Sequence, residues 1–174
     1  MRLPFRIAAA GAFALVAANA LAATPDFDNW YLFDAYQDMA DSSWVDENLE
    51  VLSFDIVLNA PALLKVTDAG LAGDRFEVFA NGISLGATSL PGDAGDDSKD
   101  LDFDAAYADP RWSHRVYALD AGSYSITGKA IAFVPDVGAA TGAIMLTAVP
   151  EPQTWALLGA GLAMTGLALR RRSA

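Results

Sequence analysis

The run Arg75–Ala80, the pair Asn81-Gly82 and the return run 83–88 constrain this chain more than any other stretch. Phe76 and Val78 alternate with Glu77 and Phe79, and a period of two places alternate side chains on opposite faces of a strand. Asn-Gly then matches a two-residue type I′ turn, which requires positive φ at both central positions. The segment is therefore read as a β-hairpin. A second clear strand lies in residues 48–58, where Leu52, Phe54, Ile56 and Leu58 form one apolar face.

Further short strands are expected near residues 30–34, 63–67, 116–119, 124–127, 131–134 and 143–148, with turns at Ala60-Pro61, Asp68-Ala69-Gly70 and Asp120-Ala121-Gly122. Residues 91–100 carry Gly and Asp and nothing suited to a core, so they read as an exposed acidic loop. No long helical period separates these strands. The pattern predicts an all-β fold, an antiparallel β-sandwich of about seven to nine strands. It is flanked by an N-terminal signal helix and a single C-terminal hydrophobic helix.

Both ends have the grammar of membrane targeting. Arg2 and Arg6 precede an apolar run, and Ala20-Leu21-Ala22 offers a small-x-small site with cleavage between Ala22 and Ala23. At the other end, Pro150, Glu151 and Pro152 precede the uncharged residues 155–169, which are followed by Arg170, Arg171 and Arg172. A fifteen-residue helix spans roughly 22 Å, short of the roughly 30 Å hydrocarbon core, so the segment suits a transient anchor. Arginines at the outer flanks of both segments put the intervening chain across the membrane. Three parts result: a signal peptide over 1–22, an extracytoplasmic body over 23–148 and a sorting signal over 149–174.

The tail resembles the PEP-CTERM class of exported bacterial proteins, which pairs a Pro-Glu-Pro motif with a hydrophobic helix and a terminal basic cluster. That resemblance implies processing by signal peptidase and by an exosortase, a membrane-embedded cysteine transpeptidase. It also implies passage through the inner membrane to the cell surface or extracellular matrix of a Gram-negative bacterium, where exopolysaccharide is a candidate partner. The residues Val66-Thr67-Asp68, Gly73-Asp74, Val78 to Gly82, Leu85-Gly86 and Leu119 to Tyr124 resemble the body of one uncharacterised group of PEP-CTERM proteins associated with surface and biofilm matrix.

Composition narrows the partners. The body carries six basic residues against twenty-one acidic ones, a net charge of −15, which repels nucleic acid and attracts divalent cations. The chain has no cysteine, so neither disulfides nor thiol chemistry are available. Asp100, Asp102 and Asp104 alternate with Leu101 and Phe103; if extended, they would concentrate three carboxylates on one face. With Asp68 and Asp74 from the preceding loop they form a candidate calcium site, although an ordinary solvated acidic loop is the competing reading. The EF-hand pattern fails, with Ala105 at its glycine position and Arg111 at its glutamate position. No other cofactor is implied.

Catalysis finds little support in the residues. Gly82-Ile83-Ser84-Leu85-Gly86 spells G-x-S-x-G, but its serine lies in the return strand of a hairpin and no helix follows, so Gly86 is read as a bulge. His114 is the only histidine, which excludes two-histidine zinc motifs. Trp30, Tyr31, Trp44, Tyr107 and Trp112 could stack on sugar rings or fill the core. The expected function is that of a non-enzymatic surface or matrix protein. The alternative is a carbohydrate-binding or carbohydrate-degrading module.

Overall fold

A computed structural model of the chain describes residues 21–149. The expected signal helix over residues 1–20, the Pro150–Glu151–Pro152 motif, the hydrophobic segment and Arg170, Arg171 and Arg172 lie outside the described residues. The Ala22–Ala23 junction falls in the short strand β1 (Leu21–Ala23). Among the described residues no helix is long and apolar enough to cross a membrane.

Among the described residues nine strands form two sheets. The first has the order β1-β3-β8-β5-β6, built from β1, β3 (Leu52–Leu58), β8 (Gly122–Ala132), β5 (Arg75–Ala80) and β6 (Ile83–Ala87). The second has the order β2-β9-β4-β7, built from β2 (Trp30–Tyr36), β9 (Ala139–Ala148), β4 (Ala62–Asp68) and β7 (His114–Leu119). All pairings are antiparallel except β1 with β3. Leu52, Phe54, Ile56 and Leu58 are buried, as their alternation requires, and they face Leu64 and Val66 of β4 and Ile144 and Leu146 of β9 in one core.

The hairpin forms as read. Phe76 and Val78 are fully buried, Ala80 pairs with Ile83, and Asn81 and Gly82 have φ of 50° and 77°, both positive as a type I′ turn demands. Gly86 pairs with Val78 while Ser84 pairs with Phe79, so Leu85 is the extra residue of a bulge, and Gly86 sits at φ 95°.

Two stretches depart from the sequence reading. Residues 124–127 and 131–134 were expected to be separate strands, but β8 runs unbroken through Gly128. Likewise β9 begins at Ala139 rather than at residue 143 and passes through Gly142. Neither glycine is a turn. A Cβ on Gly128 would lie 2.2 Å from Trp44 Cε2, and one on Gly142 would lie 2.5 Å from Phe33 Cζ. Between these two backbones the rings of Phe33 and Trp44 stack with centroids 3.9 Å apart. The strand interior uses glycine there because an aromatic ring lies flat against the backbone.

Trp44 reaches this position because its segment laces the sheets together. Its N–H donates to Gly128 O (2.9 Å), while Val45 exchanges backbone hydrogen bonds with Asp34 of β2 (2.8 and 3.1 Å). Phe54 and Phe76 close the cluster edge-on to Trp44 at 6.3 and 6.4 Å. The Trp44 indole N–H is buried without a partner, so its retention there rests on packing alone.

Candidate functional site

The polar side chains that could carry chemistry gather where the β4–β5 turn meets the long connection from β6 to β7. Backbone pairing closes that connection: Gly92 N–H donates to Arg111 O (2.8 Å), and Ser89 N–H donates to His114 O (3.1 Å). The β4–β5 turn docks onto it, since Gly70 N–H donates to Asp100 O and Lys99 N–H donates to Gly70 O, both at 2.9 Å. Trp112 fixes the junction from inside, fully buried, with its indole N–H donating to Gly70 O at 3.0 Å.

The expected extended arrangement of Asp100, Asp102 and Asp104 is not observed. Residues Phe103–Ala108 form a short helix, α1, and Asp102 is its N-cap, accepting from Ala105 N–H at 3.0 Å. Asp-x-x at a helix start satisfies a free backbone donor, and the following Ala-Ala favours the helical turn over a strand. Asp104 accepts from the Trp30 indole N–H at 2.9 Å, and Asp100 accepts from Ser98 Oγ at 3.1 Å. The three carboxylates thus serve three separate bonds, two local and one to Trp30 of β2. Among the described residues no three Asp, Glu or His side chains converge into a metal-binding group, so the five-carboxylate calcium set is not assembled.

Asp68 and Asp74 are a different matter, because both are buried. Asp68 Oδ2 accepts from Gly73 N–H (3.2 Å), and Asp68 Oδ1 is enclosed with no partner. Asp74 Oδ1 accepts from Val134 N–H at 2.8 Å. Loss of solvent, and secondarily the charge of Asp74, push the Asp68 carboxyl up to about 8; loss of solvent pushes Asp74 up to about 7.

The connection also contains a network that the sequence reading passed over. Arg111 donates to Asp109 at 2.6 Å and to Asp97 at 2.9 Å, and Lys99 reaches Asp97 at 3.0 Å. Both cations lie over the Trp112 ring, Lys99 at 4.8 Å and Arg111 at 5.2 Å from its centroid. The Arg111 side chain holds the Asp109 carboxyl well below the usual carboxylate range. The signal was legible in outline: Lys99 and Arg111 are the only basic residues between Arg75 and His114, and one adjoins a tryptophan.

The remaining candidates have local roles. Ser84 Oγ donates to Glu77 Oε1 at 2.8 Å inside β6, not at a strand-to-helix elbow. His114 opens β7, with Nδ1 2.9 Å from Trp112 O and its ring 5.1 Å from Tyr107. Of the five aromatics considered for sugar stacking, Trp44 and Trp112 are buried in the protein interior. Trp30, Tyr31 and Tyr107 are half-buried; Trp30 packs on Phe103 and Tyr107, and Lys65 Nζ covers the Tyr107 ring at 5.2 Å.

Comparison with known proteins adds a sorting motif and little else. Residues 148–172 match the PEP-CTERM protein-sorting motif, so the chain carries this signal at the position of its Pro-Glu-Pro triplet and arginine cluster. No curated protein matches the chain in sequence. Among solved structures, the pre-peptidase C-terminal domain of a collagenase from Bacillus anthracis is similar at TM-score 0.40 and 6% identity, covering 74% of this chain and 97% of that domain. The C-terminal CBM6 of a marine laminarinase from Zobellia galactanivorans is similar at TM-score 0.37 and 16% identity, covering 69% of this chain and 100% of that one.

Proposed function

We propose that this chain is a non-enzymatic exported protein of the cell surface or extracellular matrix, delivered and processed through its C-terminal tail. The match of residues 148–172 to the PEP-CTERM motif carries this reading, because that motif is the recognition signal of exosortases. The body supports it by its construction. Ser84 and His114 are held in strand and backbone bonds, and the acidic side chains of the β6–β7 connection are engaged in caps and ion pairs. In this reading the sandwich is a soluble, strongly acidic cargo, and the tail alone addresses it.

The alternative, a carbohydrate-binding or carbohydrate-degrading body, rests on Trp30, Tyr31 and Tyr107, and a glycan array separates the two. The sorting reading is tested by replacing Pro150, Glu151 and Pro152 together with alanine in the native host. The variant is expected to stay with the membrane fraction, with the tail uncut, while the parent protein leaves it. Release of the variant at the parental rate would remove exosortase recognition from the scheme.

A further inference from the structure

The two ends of the sandwich differ in charge. The β3–β4 link (residues 59–61), the β7–β8 link (residues 120–121) and the end of β9 at Ala148 lie together at one end. The Asn81-Gly82 tip joins them, since Asn81 Nδ2 donates to Ser123 O at the start of β8 (3.1 Å). The entry to β2 lies there too, with Asp28 N–H donating to Leu146 O at 2.7 Å. At the opposite end, the links over residues 37–51, 69–74, 88–113 and 133–138 hold fourteen of the twenty-one acidic residues of the body, against two basic ones, Lys99 and Arg111. The links at the β9 end hold Asp26, Asp28 and Asp120 and no basic residue.

Apolar side chains are exposed at both ends, but in different company. Leu49 stands between Glu47 and Glu50, and Val137 follows Asp136. At the β9 end, Val57 is 73% exposed and pairs with Ser123, and Ile83 is 72% exposed just after Asn81-Gly82. Val149, 40% exposed, continues from β9. The C-terminal tail leaves from this same end. Six residue steps separate Val149 from Trp155, where the uncharged segment begins, a reach of about 20 Å at full extension.

We propose that the β9 end of the sandwich rests on the lipid surface through Val57, Ile83 and Val149 while residues 155–169 are held in the membrane. This inference rests on the reading of the tail as a membrane anchor. The short tether keeps the lipid surface at a high effective concentration, so a small apolar contact at headgroup level suffices. Charge sets the orientation, because anionic headgroups repel the acidic end far more than the β9 end. The contact holds Pro150, Glu151 and Pro152 at the membrane surface, and cutting the tail removes the tether and frees the body.

The test uses the chain made with its tail in a bacterium that lacks an exosortase. With no native cysteine, single cysteines at Ala60, Val137 or Ala163 each take one bimane label. The labelled proteins are placed in vesicles of phosphatidylethanolamine and phosphatidylglycerol that carry spin labels on the headgroup or in the acyl chain. The expected result is acyl-chain quenching at Ala163→Cys, headgroup quenching at Ala60→Cys and none at Val137→Cys. Quenching at Ala60→Cys should be lost in Val57→Glu/Ile83→Glu and kept in Leu49→Glu, and side chains this exposed can be exchanged without loss of the fold. Quenching at Ala163→Cys without quenching at Ala60→Cys overturns the proposal and leaves the anchor standing, as does quenching at Ala60→Cys that the double variant does not change. No quenching at Ala163→Cys overturns the anchor, and the proposal with it.

Discussion

Gly128→Ala is expected to cost this protein about 3 kcal/mol and to lower its melting temperature by roughly 10 °C, a large effect for one methyl group. The added Cβ would sit 2.2 Å from Trp44 Cε2 and 2.3 Å from Cζ2, well inside van der Waals contact. Trp44 has nowhere to go. It is fully buried, stacked on Phe33 at 3.9 Å and closed in by Phe54 and Phe76. Phe33 in turn is pressed on Gly142, so the displacement would pass to the second sheet. Against a total stability of about 5–15 kcal/mol, the change is severe. Thermal unfolding of parent and variant measures it, and the pair Gly128→Ala with Trp44→Leu should be better than the sum of its parts, because a smaller side chain vacates the space the methyl needs. An unchanged melting temperature in Gly128→Ala would mean that the indole does not lie on that backbone.

The second large effect is an inverted pH dependence of stability. In the folded state Asp68 and Asp74 hold their protons up to about 8 and about 7, against 3.8 for the same groups in a solvated chain. The folded state therefore binds more protons than the unfolded state between these limits, and stability falls as pH rises. The contribution is fully present below about pH 4, is lost as pH climbs through about 7 and 8, and changes little above. From 3.8 to about 8 and about 7, at about 1.4 kcal/mol per pH unit, the two groups together bound the loss at on the order of 10 kcal/mol. The carboxylates that pull the other way, Asp46, Glu77, Asp97 and Asp109, have lowered values and titrate below this window. Urea midpoints at pH 5, 7 and 9 should decline in that order, and Asp68→Asn/Asp74→Asn should flatten the series. A midpoint that rises from pH 5 to pH 8 would contradict the burial of these carboxyls.

The strands that the sequence revealed are those whose two faces differ. β3 and β5 put Leu52, Phe54, Phe76 and Val78 inward and polar residues outward at several facing positions, so alternation identifies them. The Asn81-Gly82 turn was legible because only positive φ fits a two-residue hairpin and these residues adopt it. What stayed hidden depends on contacts distant in the chain. Gly128 and Gly142 look like breaks until Trp44 and Phe33 are placed over them, and no local pattern announces a ring that arrives from 84 or 109 positions away.

The acidic segment failed for a related reason. Asp100 to Asp104 alternates as a strand would, yet the chain had a cap to make at Asp102 and a bond from Trp30 to satisfy at Asp104, and a short helix does both. Charge suggested that carboxylates matter here without saying which ones are buried. Asp68 and Asp74 differ from the others in being buried where β4 ends and β5 is about to begin, with Val134 N–H on Asp74, a fact of topology rather than of spacing.

Intact mass of the protein recovered from the surface and medium of its native host measures the export and processing of the chain most directly. The expected species begins at Ala23 and lacks Arg170, Arg171 and Arg172, the leader and the basic end having been removed at the two membrane-targeting segments. Recovery at the cell surface of a chain that still carries the arginine end, or that still begins at Met1, would contradict it.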